Sequence, residues 1–400
     1  MFRAHWWAAV ATVARLVGDL EIAEDAVQDA CAVALERWPA DGRPANPRAW
    51  LIGAARHKAL DRLRRDAKRA QKEAAAVRDL GEPTPLAESA YPDDELALVF
   101  MCCHPALDPA AQVALTLRSV CGLPTAEIAA AFLRPEPTMA QRLVRAKRKV
   151  RQAGIALRIP SPEELPQRLG VVLRVVYLVF TQGHMAATGD RLIRGELCEQ
   201  AIRLARGLGT LLRGEPEVRG LLALLLLTDA RRKARTDADG ELVPLESQDR
   251  RLWDKAMIAE GEAIIEQALR SGRPGPYQLH AAIAACHSGA GSAAETDWPQ
   301  IAALYRELIR YEPTAVVQAN RAVAVGMAEG PDAGLAILDS VREHPQLAGW
   351  PQLHLARAEM LRRLDRDTEA LAAYRTARQL ARPSAERTYI DRRIRELTTG

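Results

Sequence analysis

The residues in this chain best suited to chemistry are basic ones. Arg142, Arg145, Lys147, Arg148, Lys149 and Arg151 stand close together with no acid among them. Such a cluster neutralises phosphates, and the fork of an arginine can also pair with guanine edges. A helix that merely faced water would alternate its charges. A second series, Lys58, Arg62, Arg65, Arg69 and Lys72, repeats at four, three, four and three residues. That spacing puts it on one helix face. Trp50 precedes this series, and an aromatic there either stacks on unpaired bases or fills a core. Both series point to nucleic acid.

Other polar groups are poorer candidates for catalysis. Asp25, Gln28 and Asp29 share a helix face, but no histidine or second carboxylate cluster accompanies them. An exposed surface for a protein partner is the better reading. Cys102-Cys103-His104 lacks the two-residue spacer of a zinc knuckle and no second ligand pair follows, so small buried side chains are the default. The chain has no glycine-rich phosphate loop and no nucleophile elbow. A hydrolase or kinase finds no support, and no metal or small-molecule cofactor is implied.

Helices must carry these groups. The chain is 48% hydrophobic but only 4% aromatic, and no long stretch alternates apolar with polar residues. An all-α protein follows. The first block holds a helix over 20–37, with Ala23, Ala26, Val27, Ala30 and Ala34 on its inner face. The next helix starts at Asn46-Pro47, an N-cap followed by proline, and buries Ile52, Ala55, Ala59 and Leu63. The second block ends in a helix-turn-helix pattern. A short helix, Ala126 to Phe132, leads through Arg134-Pro135-Glu136-Pro137 to a helix from Thr138 to about Gln152. Met139, Leu143, Ala146 and Val150 line its inner side. A helix with one apolar stripe and an arginine-rich outer face suits the major groove.

Breaks in composition divide the chain. Gly81-Glu82-Pro83-Thr84-Pro85 and Tyr91-Pro92-Asp93-Asp94 read as a linker, as does Ile159-Pro160-Ser161-Pro162. The domains expected are 1–75, a helix-turn-helix domain at 96–156, a helical extension at 167–285 and helical repeats at 286–400. The linkers fall at 76–95 and 157–166. The repeats rest on Tyr305 with Pro313, Ile337 with Pro345, and Tyr374 with Ala377. They recur at about 32 and 37 residues, near the tetratricopeptide (TPR) period.

Charge is unevenly placed. Residues 1–160 hold 23 Lys and Arg against 19 Asp and Glu, and the remainder holds 32 of each. The excess therefore lies where the basic helices are. Six irregularly spaced cysteines form no disulfide framework and suit a reducing cytoplasm. The N-terminus lacks a signal-peptide pattern. The longest apolar run, Leu221 to Leu227, falls far short of a membrane span.

The order of these pieces resembles the sigma-70 family of RNA polymerase sigma factors. Asp19 to Ala30 resembles the region 2 helix that docks on core polymerase. Asn46-Pro47-Arg48-Ala49-Trp50-Leu51 through Asp61-Arg62-Leu63-Arg64-Arg65 looks like the segment that melts and reads the −10 element. Residues 123–151 look like the region 4 helix-turn-helix that reads the −35 element. The absence of regions one and three is similar to the layout of the extracytoplasmic-function (ECF) type. Residues 160–400, including Gly189-Asp190, Asp229-Ala230-Arg231-Arg232 and Thr296-Asp297-Trp298, resemble the extension of one ECF subgroup.

The resemblance implies a non-enzymatic factor whose partners are core polymerase and promoter DNA. The balanced charge and paired helices of the extension are expected to modulate that factor, either by docking on the DNA-binding blocks or by recruiting a protein regulator. It implies core binding by Asp25, Gln28 and Asp29. The −10 contacts would come from Asn46, Arg48, Trp50, Arg56, Lys58, Arg62 and Arg65. The −35 contacts would come from Thr138, Gln141, Arg142, Arg145, Arg148 and Lys149. Pro124, Pro137 and Ala140 depart from the residues usual at their positions, which implies an unusual −35 preference. The alternative is a helix-turn-helix regulator with a TPR-like interaction domain that never joins polymerase. Such a regulator needs neither the acidic trio nor a second basic helix.

Overall fold

The computed structural model describes residues 3–73, 91–132, 134–184, 193–238, 240–381 and 384–399. Among them there are helices, short 3-10 turns and one isolated bridge, Thr236 to Leu242, with no strand. Two compact units divide the chain, Met1–Val179 and Phe180–Gly400.

The first unit contains α1 (Arg3–Val17), α2 (Leu20–Asp41), α3 (Pro47–Glu73), α4 (Tyr91–Cys102), α5 (Pro109–Ser119), α6 (Thr125–Ala131), α7 (Glu136–Gln152) and the first turns of α8 (Leu165–His184). Asp19 starts α2 by accepting from the Glu21 and Ile22 amides at 2.8 and 3.1 Å. This satisfies donors that a helix cannot satisfy itself. Helix α1 packs on α2, α3 and α4. Alanine-rich faces let them approach closely: Ala9, Ala11, Ala23, Ala30, Ala34, Ala55 and Ala59 are fully buried.

Two sequence expectations change here. Ile52 and Leu63 are only half-buried, and Leu51 takes the inner place. It lies four residues before Ala55 and eight before Ala59, on the same line along the helix. Tyr91 to Asp94 form the first turn of α4, not a linker. Proline is tolerated there, and acids there favour the positive end of the helix dipole. Asp94 is also buried against Arg15 at 2.6 Å. Gly81 to Pro85 lie outside the described residues.

The second unit contains the rest of α8, then α9 (Gly195–Leu211), α10 (Pro216–Asp229), α11 (Lys255–Leu269), α12 (Pro276–Gly289), α13 (Trp298–Leu308), α14 (Ala315–Glu329), α15 (Pro331–Val341), α16 (Pro351–Arg363), α17 (Asp367–Leu380) and α18 (Ser384–Thr399). The run Leu221 to Leu227 is the middle of α10, which α9, α11 and α12 surround. A helix apolar all round must be buried all round. From α13 to α18 each helix packs on the next, the arrangement of a stacked repeat array. Helices α14 and α15 nearly touch at Gly326 and Gly334. A Cβ on Gly334 would come within 2.7 Å of the Ala322 carbonyl oxygen and the Gly326 Cα. Ala370, Tyr374 and Ala377, which carried the repeat pattern, are buried together with Leu353, Leu361 and Ile390.

Candidate nucleic-acid interface

Helices α6 and α7 form the helix-turn-helix, and α5 packs against both. Asp108 caps α5 by accepting from the Ala111 amide at 3.0 Å. The second helix begins at Glu136, two residues before the predicted Thr138, so Pro137 stands in its second position. Glu136 at its start and Lys149 and Arg151 at its end match the helix dipole. Met139, Leu143, Ala146 and Val150 are buried, the inner side read from the periodicity.

The outer side of α7 carries Thr138, Gln141, Arg145, Arg148 and Lys149, all exposed. Arg142 is half-buried, its guanidinium 5.9 Å from the Phe132 ring centroid. Val144 shares this face at 61% exposure. Charge-based reading passed over it, because an exposed apolar side chain on an otherwise polar face carries no charge signal.

The basic run of α7 divides into two environments. Lys147 and Arg151 face α2. Lys147 Nζ donates to Glu24 Oε2 at 2.5 Å, and Ser119 Oγ donates to Glu24 Oε1 at 2.5 Å. Arg118 Nε stands 4.0 Å from the same carboxylate, which is only 1% exposed. Arg151 pairs with Glu21 at 2.7 Å and Asp19 at 2.9 Å, and these partners, Glu21 first, raise its pKa. The acids missing from the run are therefore supplied by α2, more than 100 positions earlier in the chain.

Helix α3 begins where its cap predicts: Asn46 Oδ1 accepts from the Ala49 amide at 3.0 Å. Arg48 pairs with Glu95 of α4 at 3.2 Å. Trp50 is half-buried, edge-on to Trp38 with centroids 5.4 Å apart, which fits the core reading better than an open stacking platform. Arg56 is half-buried. Lys58, Arg62 and Arg65 line one shallow concavity with Asp29 and Arg64. The side chains of Arg69 and Lys72 lie outside the described residues. Arg62 reaches Asp25 on α2 at 2.5 Å. Gln28 and Asp29 stay exposed. The predicted acidic trio thus splits: two residues face outward and the third holds a basic residue of α3.

Cys102 and Cys103 are sealed in the core, and burial raises both thiols, Cys103 to about 12. Cys103 Sγ lies 3.9 Å from Thr116 Oγ1, and His104 Nδ1 accepts from the Ala106 amide at 3.1 Å. Among the described residues no group of three or more His, Cys, Asp or Glu side chains could hold a metal. In the same residues no helix is long and apolar enough to cross a membrane.

Comparison with known proteins finds three matching segments. Residues 1–69 match sigma-70 region 2, and residues 97–150 match sigma-70 region 4. Residues 168–269 match a family of unknown function, DUF6596. An uncharacterized protein of Rhizobium meliloti (strain 1021), R00370, is 43% identical over 96% of this chain and 91% of its own length. The probable ECF RNA polymerase sigma factor SigI of Mycobacterium tuberculosis (strain H37Rv) is 32% identical over 39% of this chain and 54% of its own length. No solved structure matches.

Proposed function

We propose that this chain, which belongs to the sigma-70 family as an ECF-type factor with a C-terminal helical extension, brings core RNA polymerase to promoters and acts in the cytoplasm without catalysing a reaction itself. The observation that carries this reading is α7: a buried apolar stripe beneath an exposed face of Gln141, Val144, Arg145 and Arg148. In this reading that face, with Thr138, Arg142 and Lys149, contacts the −35 element. Lys58, Arg62 and Arg65, with Asn46, Arg48, Trp50 and Arg56 nearby, hold the −10 element. Gln28 and Asp29, with Asp25, meet the polymerase.

The two DNA elements lie about 25 base pairs apart, roughly 85 Å at about 3.4 Å per pair. Region 2 and region 4 touch directly through Glu24, Lys147 and Arg151, so they must separate before both elements can be engaged. The ion pairs between α2 and α7 then hold the free factor closed. Binding to polymerase shifts it to the open form, because a ligand stabilises whichever state it binds better.

The extension is read as a modulator that meets a protein regulator. Its charge is balanced and its stacked helices offer an extended surface. In vitro transcription with purified core polymerase and a promoter library tests the main reading. Promoter-specific initiation is expected, and its absence while DNA binding persists would favour a regulator that never joins polymerase. Truncation after Val179 tests the extension, with clearly altered transcription expected and activity equal to that of the full chain refuting a modulatory part.

A further inference from the structure

The second unit gathers arginines where carboxylates are scarce. The sequence Asp229-Ala230-Arg231-Arg232 follows α10, and its members have different environments. Arg232 is fully compensated: it pairs with buried Asp229 at 2.9 and 2.5 Å and with Glu199 at 2.9 Å. Arg231 is not. No carboxylate among the described residues forms an ion pair with it, and its Nε is buried without a hydrogen-bond partner. Its guanidinium lies 5.9 Å from the ring centroid of Trp253.

Two further arginines join it. Arg235 is 7% exposed and donates to the His184 carbonyl. Arg250 stands over Trp253 at 4.4 Å and donates to the carbonyls of His287 and Ala290 at 2.9 and 2.5 Å. Neither forms an ion pair with a described carboxylate. Asp229 and Glu295 act on them only at longer range. Burial, then Arg235 and Arg250, pulls the Arg231 pKa down to about 10. Burial with the nearby arginines keeps both histidines neutral, His287 down to about 4 and His184 to about 2. His184 Nδ1 and Trp253 Nε1 are also buried without partners.

Several guanidiniums withdrawn from water without counter-charge are costly, and a buried donor left unpaired adds to the cost. An oxyanion removes both penalties at once, because an arginine fork matches carboxylate and phosphate oxygens bidentately. The alternative compensation, cation–π contact with Trp253, serves Arg250 at 4.4 Å better than Arg231 at 5.9 Å, and it satisfies no N–H donor. Arginines that grip a nucleic-acid backbone lie open, as Arg145 and Arg148 do on α7. Here Arg235 and the Nε of Arg231 are buried while Arg250 is only half-buried, so a polymer backbone cannot reach them all and their ligand must be small. We propose that the second unit binds a small oxyanion, carboxylate or phosphate, between Arg231, Arg235 and Arg250 beside Trp253. The extension would then sense a metabolite-sized anion, a role independent of the sigma-factor reading.

Isothermal titration and thermal denaturation of the full chain test this. Inorganic phosphate and succinate serve as separate probes at ionic strength fixed with sodium chloride. At least one should bind saturably and raise Tm, and which one does so identifies the source. Arg231→Lys, which keeps the charge but loses the fork, should weaken that binding at least tenfold. Arg231→Met should abolish it while leaving Tm in oxyanion-free buffer unchanged or higher, since an uncompensated cation is removed. Arg145→Met, on α7, should leave the binding intact. No saturable binding of either probe to the full chain overturns the proposal. So does binding that survives both Arg231 substitutions, or loss of Tm on Arg231→Met in the absence of oxyanion, which would mark a purely structural arginine.

Discussion

Replacing Lys147 with Met should unlock region 2 from region 4. Lys147 Nζ sits 2.5 Å from the carboxylate of Glu24, whose side chain is 2% exposed. Removing one partner of a buried pair typically costs ~3–5 kcal/mol because the other charge is left stranded. Here Arg118 stays 4.0 Å away and Ser119 still donates, so the lower end, about 3 kcal/mol, is expected. That is roughly a hundredfold in the opening equilibrium. Hydrogen exchange read by mass spectrometry can localise it: amides of α2 and α7 should exchange about a hundredfold faster, with α13 to α18 unchanged. Glu24→Gln should cost less, about 2 kcal/mol, because Lys147 is 17% exposed and can turn to water. The double substitution should cost clearly less than the two single costs added together. Glu24→Gln removes no basic residue, so it also tests function. If opening precedes promoter engagement, apparent DNA affinity should rise up to ~30-fold as the competent fraction grows. Unchanged protection of α2 and α7 in Lys147→Met, or additive single costs, would refute the lock.

Three other outcomes follow from the geometry. Arg145→Ala and Arg148→Ala should each weaken −35 DNA binding, a base contact by about 1–3 kcal/mol with altered sequence preference, a phosphate contact with a salt slope lower by about 1; retardation assays across a salt series decide. Gln28→Ala with Asp29→Ala should impair co-purification with core polymerase while changing stability by under about 0.5 kcal/mol, since both side chains are exposed; wild-type recovery of polymerase would remove these residues from the interface. Burial lowers the His287 pKa to about 4, so on acidification the unfolded chain takes up its proton near pH 6.5 while the folded chain does not. Stability should therefore fall from about pH 6.5 to about pH 4, by up to ~3 kcal/mol from this residue. His287→Gln should reduce the slope of that part of the profile in urea titrations, with buried His184 supplying the remainder, and an unchanged slope would place His287 in contact with water.

What the sequence determined on its own was local. Caps, periodicity and proline placement located α2, α3 and the helix-turn-helix, because a helix start and its inner face depend on residues within a few positions of each other. Ala23, Ala26, Val27, Ala30 and Ala34 on α2, and Met139, Leu143, Ala146 and Val150 on α7, were legible for that reason. Where two faces were nearly equivalent, as for Leu51 and Ile52, only packing chose between them. Tertiary structure alone decided which charges remain available. Nothing near Lys147 or Arg151 in the chain announces that α2 will take them from the exposed basic face of α7, or that Asp25 will hold Arg62. Likewise the pairing of Arg232 with Asp229 is adjacent and readable, whereas the convergence of Arg231 and Arg250 on Trp253 is not. Electrostatic partnership depends on distance and burial in the folded chain, and neither is encoded in the spacing of residues along it.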